Sequence, residues 1–99
     1  MSGLLLIDNG HQKMYLPVFC TDRELAYAVL CDAMDEWSRM DRDSPWRDAV
    51  AFYEIAERLG RERTGCDGCF IGPEAVGKGE DERFVFEADF PKQRIVPVR

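Results

Sequence analysis

Apolar and polar residues alternate along this chain in two periods, two and 3.6, and the switches between them divide it into elements. Leu4-Leu5-Leu6-Ile7 is a short apolar run. Asn9-Gly10 follows, a dipeptide suited to a two-residue type I′ turn because both central positions need positive φ. Met14-Tyr15-Leu16-Pro17-Val18-Phe19 is the returning strand of the expected hairpin. A two-residue turn pairs Asp8 with His11, Ile7 with Gln12, Leu5 with Met14 and Leu4 with Tyr15. It gathers Leu5, Ile7, Met14 and Leu16 on one face, the expected core face. Pro17 has no N–H to donate, so its outward side belongs at an edge or a bulge.

The period then lengthens. Leu25, Ala26, Val29, Leu30, Ala33, Met34, Trp37 and Met40 recur at steps of three and four and predict a helix over 22–40. Thr21 or Asp22 caps it, and Thr21 with Glu24 has capping-box spacing. Ser44-Pro45 reads as the N-cap and first turn of a second helix over 45–59, with Gly60 as its stop. Its apolar face is Trp46, Ala49, Val50, Tyr53, Ala56 and Leu59, with Phe52 and Ile55 alongside. Glu54–Arg58 and Glu57–Arg61 have the i,i+4 spacing of helix ion pairs.

Residues 64–83 form a glycine-rich acidic loop with Gly65, Gly68, Gly72, Gly77 and Gly79. A loop of this length inside a small domain either hides a short strand, at Cys69-Phe70-Ile71, or serves a function. Phe84, Phe86, Ala88 and Phe90 alternate along the next strand, and Ile95-Val96-Pro97-Val98 makes a last edge strand. The order predicts a single α+β domain over 1–99. Its small antiparallel sheet, an N-terminal hairpin plus C-terminal strands, carries two amphipathic helices on one face.

Charge adds a second layer. The chain holds 19 acidic and 13 basic residues, a net charge of −6. The excess is segregated: Asp22 to Asp48 carries eight acids against four arginines, and Asp67 to Asp89 seven against Lys78 and Arg83. Blocks of one sign make a directional field that steers an oppositely charged partner. The same balance argues against direct binding to a nucleic-acid backbone or to an anionic membrane. Cys31, Glu24, Asp32, Asp35 and Glu36 fall on the polar side of the first helix, where no basic residue stands between Arg23 and Arg39. Asp32, Asp35 and Glu36, together with Glu80, Asp81 and Glu82 of the loop, are therefore the expected partner-binding residues. No run of 18 apolar residues is present, and Met1 to Asp8 lacks the basic start of a signal peptide, so a cytoplasmic location is expected.

Candidate chemistry is sparse. Cys66-Asp67-Gly68-Cys69 is a C-x2-C in a glycine loop, the form of half a zinc knuckle. The other ligands would have to come from Cys20, Cys31 or His11, the only imidazole, brought together by folding. A redox role for the pair needs a helix start, and Gly72-Pro73 argues against one. Gly72 to Gly79 approaches the phosphate loop G-x4-G-K-[ST], but Gly79 stands where the magnesium-binding hydroxyl is required, and Glu74 would repel phosphate. His11 beside Asp8 is accounted for by a cross-strand pair. No complete catalytic motif or cofactor fingerprint remains. The expectation is a non-catalytic acidic interaction domain that occupies a basic, nucleic-acid-binding surface of a partner. Phage and mobile-element inhibitors of host defence, anti-CRISPR proteins among them, share this small, acidic, motif-free profile. The alternative is a small zinc-binding module built on Cys66 and Cys69, and a metal assay separates the two.

Overall fold

The computed structural model describes residues 3–8, 13–41, 43, 48–65, 70–72 and 83–98. The elements run β1 (Gly3–Asp8), β2 (Lys13–Val18), α1 (Arg23–Ser38), α2 (Ala49–Thr64), β3 (Phe84–Asp89) and β4 (Arg94–Pro97). The fold is α+β, with one four-stranded sheet in the order β2-β1-β3-β4. Each terminal hairpin is antiparallel, but β1 and β3 pair in parallel. The sheet is thus mixed, not antiparallel throughout. The first strands of the two hairpins meet at its centre, joined through β2 and the two helices. Their side chains fit that place: Leu4-Leu5-Leu6-Ile7 and Phe84-Val85-Phe86 are unbroken apolar runs, the pattern of strands buried on both faces. Leu4, Leu6 and Val85 are buried on the face turned away from the main core, as Leu5, Ile7, Phe84 and Phe86 are on the other.

The hairpin register is shifted by two residues from the two-residue-turn expectation. Leu5 opposes Leu16, Ile7 opposes Met14 and Asp8 opposes Lys13. A shift of one would turn the apolar set outward, whereas a shift of two keeps every side chain on its face. The observed register sets apolar residues opposite one another where the shorter turn would have set Ile7 against Gln12. The Asn9-Gly10 turn itself lies outside the described residues. β2 is an edge strand, as Pro17 requires.

Both helices are capped by aspartate. Asp22 Oδ1 accepts from the N–H groups of Glu24 (3.0 Å) and Leu25 (3.2 Å), so Asp22 rather than Thr21 is the cap. In α2 the cap is Asp48, which accepts from Ala51 N–H (3.0 Å), and the helix runs on to Thr64. It therefore starts later and ends later than the expected 45–59; Ser44 and Pro45 lie outside the described residues. The stop is Gly65, with φ +67, whose N–H returns to the Arg61 carbonyl (3.1 Å). Arg61 and Arg63 in the last turn suit the negative end of the helix dipole.

Gly60 is thus a helix-interior residue, and packing explains it. A Cβ at that position would fall on Cβ and Cγ of Phe70. Phe70 is buried there, and Ile71 beside it forms an isolated antiparallel bridge with Val18. The strand expected at 69–71 is this bridge, with Cys69 outside the described residues.

The core joins Leu5, Ile7, Leu16, Val18, Phe84, Phe86, Ala88 and Ile95 of the sheet to the apolar stripes of both helices. Ala26, Val29, Leu30, Ala33, Met34 and Trp37 are buried from α1, and Phe52, Ala56 and Leu59 from α2. Burying one such large side chain contributes about 1.5–3 kcal/mol. Val50, expected on the apolar face, is exposed instead. The Phe90 ring packs against Trp37 (5.0 Å between centroids) and edge-on to Phe52 (5.5 Å). Trp37 Nε1–H donates to the Asp48 carbonyl (3.0 Å), tying the end of α1 to the start of α2. No helix among the described residues is long and apolar enough to cross a membrane.

The β3–β4 turn carries one strained residue. Gln93 has φ +53, and its N–H donates to the Phe90 carbonyl (3.1 Å). Side chains other than glycine resist this conformation. Gln93→Gly should therefore stabilise the fold by about 0.5–1 kcal/mol, net of the entropy glycine gains when unfolded. Chemical denaturation checks this, and a lowered midpoint would mean that the Gln93 side chain contributes more than the strain removes.

Candidate interaction surface

The polar side of α1 follows from its period. With Ala26, Val29, Leu30 and Ala33 inward, Asp32 and Asp35 turn outward and Glu36 lies at the margin. Counting within α1 leaves these carboxylates unneutralised, but α2 corrects that count. Arg63 pairs with Asp32, Arg58 pairs with Glu36, and Arg58 also reaches Glu62 at 3.9 Å. Partner numbers fall along α2 as they rise along α1, as an antiparallel helix pair requires. The expected Glu54–Arg58 and Glu57–Arg61 pairs are not among the ion pairs of the described residues. These bridges are about half exposed, so each contributes at most about 1 kcal/mol. Asp35 is different: it is exposed, and its carboxylate has no ion-pair partner among the described residues. It borders an open recess of about 400 Å³ with Asp32, Glu36, Arg39, Leu59 and Arg63. An incoming guanidinium can bind Asp35 without displacing an internal arginine.

The cysteines divide. Cys20 is buried, and its thiol donates to the Asp22 carbonyl (3.4 Å). Cys31 is half-buried on α1. Burial raises its thiol pKa, as do the charges of Asp32 and Asp35, against a lowering hydrogen bond from Tyr27. The thiol therefore resists ionisation, the opposite of an activated nucleophile. It faces a recess of about 190 Å³ with Tyr27, Met34, Asp35, Gln93, Arg94 and Ile95. Among the described residues, no group of three or more His, Cys, Asp or Glu is placed to hold a metal. Cys66, Cys69 and His11 lie outside the described residues, as do Glu80, Asp81 and Glu82. The structure thus brings Asp32, Asp35 and Glu36 together on one face, and among the described residues it gathers neither Cys20 nor Cys31 into a ligand set.

Sequence reasoning missed two features. The first is Glu57, the only buried charged residue among those described, at 6% exposure. Its Oε1 accepts the N–H of Ile71, and the Tyr53 hydroxyl donates to the Ile71 carbonyl (3.1 Å). The spacing to Arg61 suggested a solvated pair, yet Tyr53, Glu57 and Gly60 lie on one stripe at i, i+4 and i+7, and that stripe is where α2 meets Phe70 and Ile71. The second is an apolar recess of about 270 Å³ between the N-terminal hairpin and the start of α2. Among the described residues it is lined by Ile7, Met14, Leu16, Ala49, Val50 and Tyr53. Met14 and Leu16 were legible as core-face residues; that Leu16 is buried while Met14 stays partly exposed was not. No protein-family model matches the chain, and no curated protein or solved structure is detectably similar to it.

Proposed function

We propose that this chain is a non-catalytic interaction domain that docks through an acidic surface on a basic surface of a partner protein. By occupying that surface it keeps nucleic acid away, as phage and mobile-element inhibitors of host defence such as anti-CRISPR proteins do. The observation that carries this reading is segregated charge with an available carboxylate at its crest: a net charge of −6, and Asp35 exposed on α1 with no internal counter-ion among the described residues. The internal pairing of Asp32 and Glu36 narrows the contact on this face to Asp35. Glu80, Asp81 and Glu82 remain the second part of the proposed surface. The domain would act in the cytoplasm, where its thiols stay reduced.

The pairing also decides the test. Reversing all three α1 acids would set lysines against Arg58 and Arg63 and disturb the helix pair. Asp35→Lys alone touches no bridge, so its stability should stay within about 0.5 kcal/mol of wild type. With the partner captured from the native host, association at low salt should slow severalfold. The difference should vanish as salt shortens the screening length below about 10 Å. An Asp35→Lys variant that associates as fast as wild type at low salt would remove α1 from the interface.

A further inference from the structure

The segments that follow β2 and α2 both carry cysteine. α2 closes at Gly65, whose φ of +67 turns the chain out of the helix. Phe70 nevertheless packs against Gly60, so closely that its Cβ and Cγ leave no room for a Cβ on the glycine. Gly60 lies about 7.5 Å back along the helix from Gly65. The chain therefore reverses direction between Gly65 and Phe70, over the four residues Cys66-Asp67-Gly68-Cys69. These four lie outside the described residues. Each cysteine is nevertheless bonded to a described neighbour, which fixes its Cα at about 3.8 Å from that of Gly65 or Phe70. Two cysteines at the ends of a short reversal supply half of a zinc site.

The register of the bridge points to a third thiol. Val18 faces Ile71 in antiparallel sense, and Phe19 N–H donates to the Phe70 carbonyl (2.8 Å). Facing positions run in opposite directions, so one step beyond Phe19 and Phe70 sets Cys20 against Cys69. Val18 and Ile71 exchange no hydrogen bond, and the position two steps along has the same character. In such pairs facing Cα atoms stand about 4.5 Å apart. Cys20 is buried, in the same core cluster as Phe70 and Ile71. The other two candidate ligands belong elsewhere. Cys31 shares a recess with Gln93, Arg94 and Ile95, at the β4 edge of the sheet, opposite β2. His11 precedes Lys13, which lies roughly 17 Å along β2 from Val18.

We propose that Cys20, Cys66 and Cys69 bind one zinc ion. Each thiol gives up its proton to solvent, the three thiolates take three positions of the tetrahedron, and water takes the fourth. The ion ties the end of β2 to the end of α2, across the segment that Glu57 and Tyr53 already seat. The site shares no residue with the acidic surface and is assayed without a partner, so either can fail without the other.

The probe is zinc itself, added to the reduced, purified chain and then desalted. Wild type and Cys31→Ser should each retain about one zinc per chain. Cys20→Ser, Cys66→Ser and Cys69→Ser should each lose most of it. Cobalt in place of zinc should give wild type a sulfur-to-metal charge-transfer absorption, which should fall in Cys20→Ser. In wild type, zinc should slow alkylation of Cys20, Cys66 and Cys69, located by peptide mass mapping, and leave Cys31 unchanged. This last readout needs no substitution, so it decides the matter even if Cys20→Ser fails to fold. A wild-type chain that takes up no zinc overturns the proposal. So does zinc that Cys20→Ser retains undiminished, or that leaves the alkylation of Cys20 as it was.

Discussion

Gly60→Val should lower the melting temperature by about 10–20 °C, the counterpart of about 2–4 kcal/mol in a domain of this size. Helix propensity alone points the other way. Glycine inside a helix is about 1 kcal/mol worse than alanine, so a substitution here should help if α2 were judged by itself. Packing reverses the sign. The added Cβ would meet Cβ and Cγ of Phe70, which are the root of that side chain rather than its movable end. Phe70 cannot swing away cheaply, because its carbonyl is bonded to Phe19 and its neighbour Ile71 is clasped by Tyr53 and Glu57. Gly60→Ala should lose stability in the same direction by a smaller amount. Phe70→Leu added to Gly60→Ala should cost less than the two single losses together, because the two sites share one contact. Thermal unfolding of the four proteins checks both statements. A melting temperature that rises in Gly60→Ala would show that propensity outweighs this contact.

The same glycine shows where reading from sequence stops. The strands at the two ends, the inward face of α1 and the Phe52, Ala56 and Leu59 part of that of α2 were legible because alternation and the 3.6-residue period are local. Leu5, Ile7 and Leu16, like Val29, Leu30, Ala33 and Met34, face the core as their spacing requires. Alternation fixes a strand's face but not its register to within two residues, hence the shift in the N-terminal hairpin. The parallel pairing of β1 with β3 spans the whole chain between them, and its only sequence trace is the unbroken apolar run in each. Gly60 looks like a helix stop because a stop and a close approach both call for glycine. The second meaning depends on Phe70, ten residues further on. The acidic side of α1 was legible as a composition, but its counter-charges, Arg58 and Arg63, come from another helix and escape any i,i+4 count. Glu57 fails for the same reason: a carboxylate on a helix with Arg61 one turn later reads as solvated until the fold sets Ile71 against it.

Glu57→Ala should destabilise the chain by about 2–4 kcal/mol, from two separable losses. The first is the acceptor of the Ile71 N–H, in a place where both residues are buried. A buried donor left without a partner costs about 1–3 kcal/mol. The second is the space vacated by the glutamate methylenes. Two further substitutions divide these terms. Glu57→Gln keeps a side-chain oxygen at the same reach, fills the same space and removes a buried charge. It should therefore stay within about 1 kcal/mol of wild type. Glu57→Leu fills the space but offers no acceptor, so it should fall between the other two. Hydrogen exchange locates the effect. The Ile71 amide should exchange faster in the Ala and Leu variants than in wild type or Glu57→Gln. The Phe19 and Gly72 amides should follow, since their bonds depend on the same segment staying seated. A Glu57→Leu protein as stable as wild type, with Ile71 equally protected, would mean that apolar packing of Phe70 and Ile71 holds the segment alone. The carboxylate would then only be tolerated at that position. If the Leu variant does lose protection at Ile71, the buried glutamate is what fixes Phe70–Gly72 against β2.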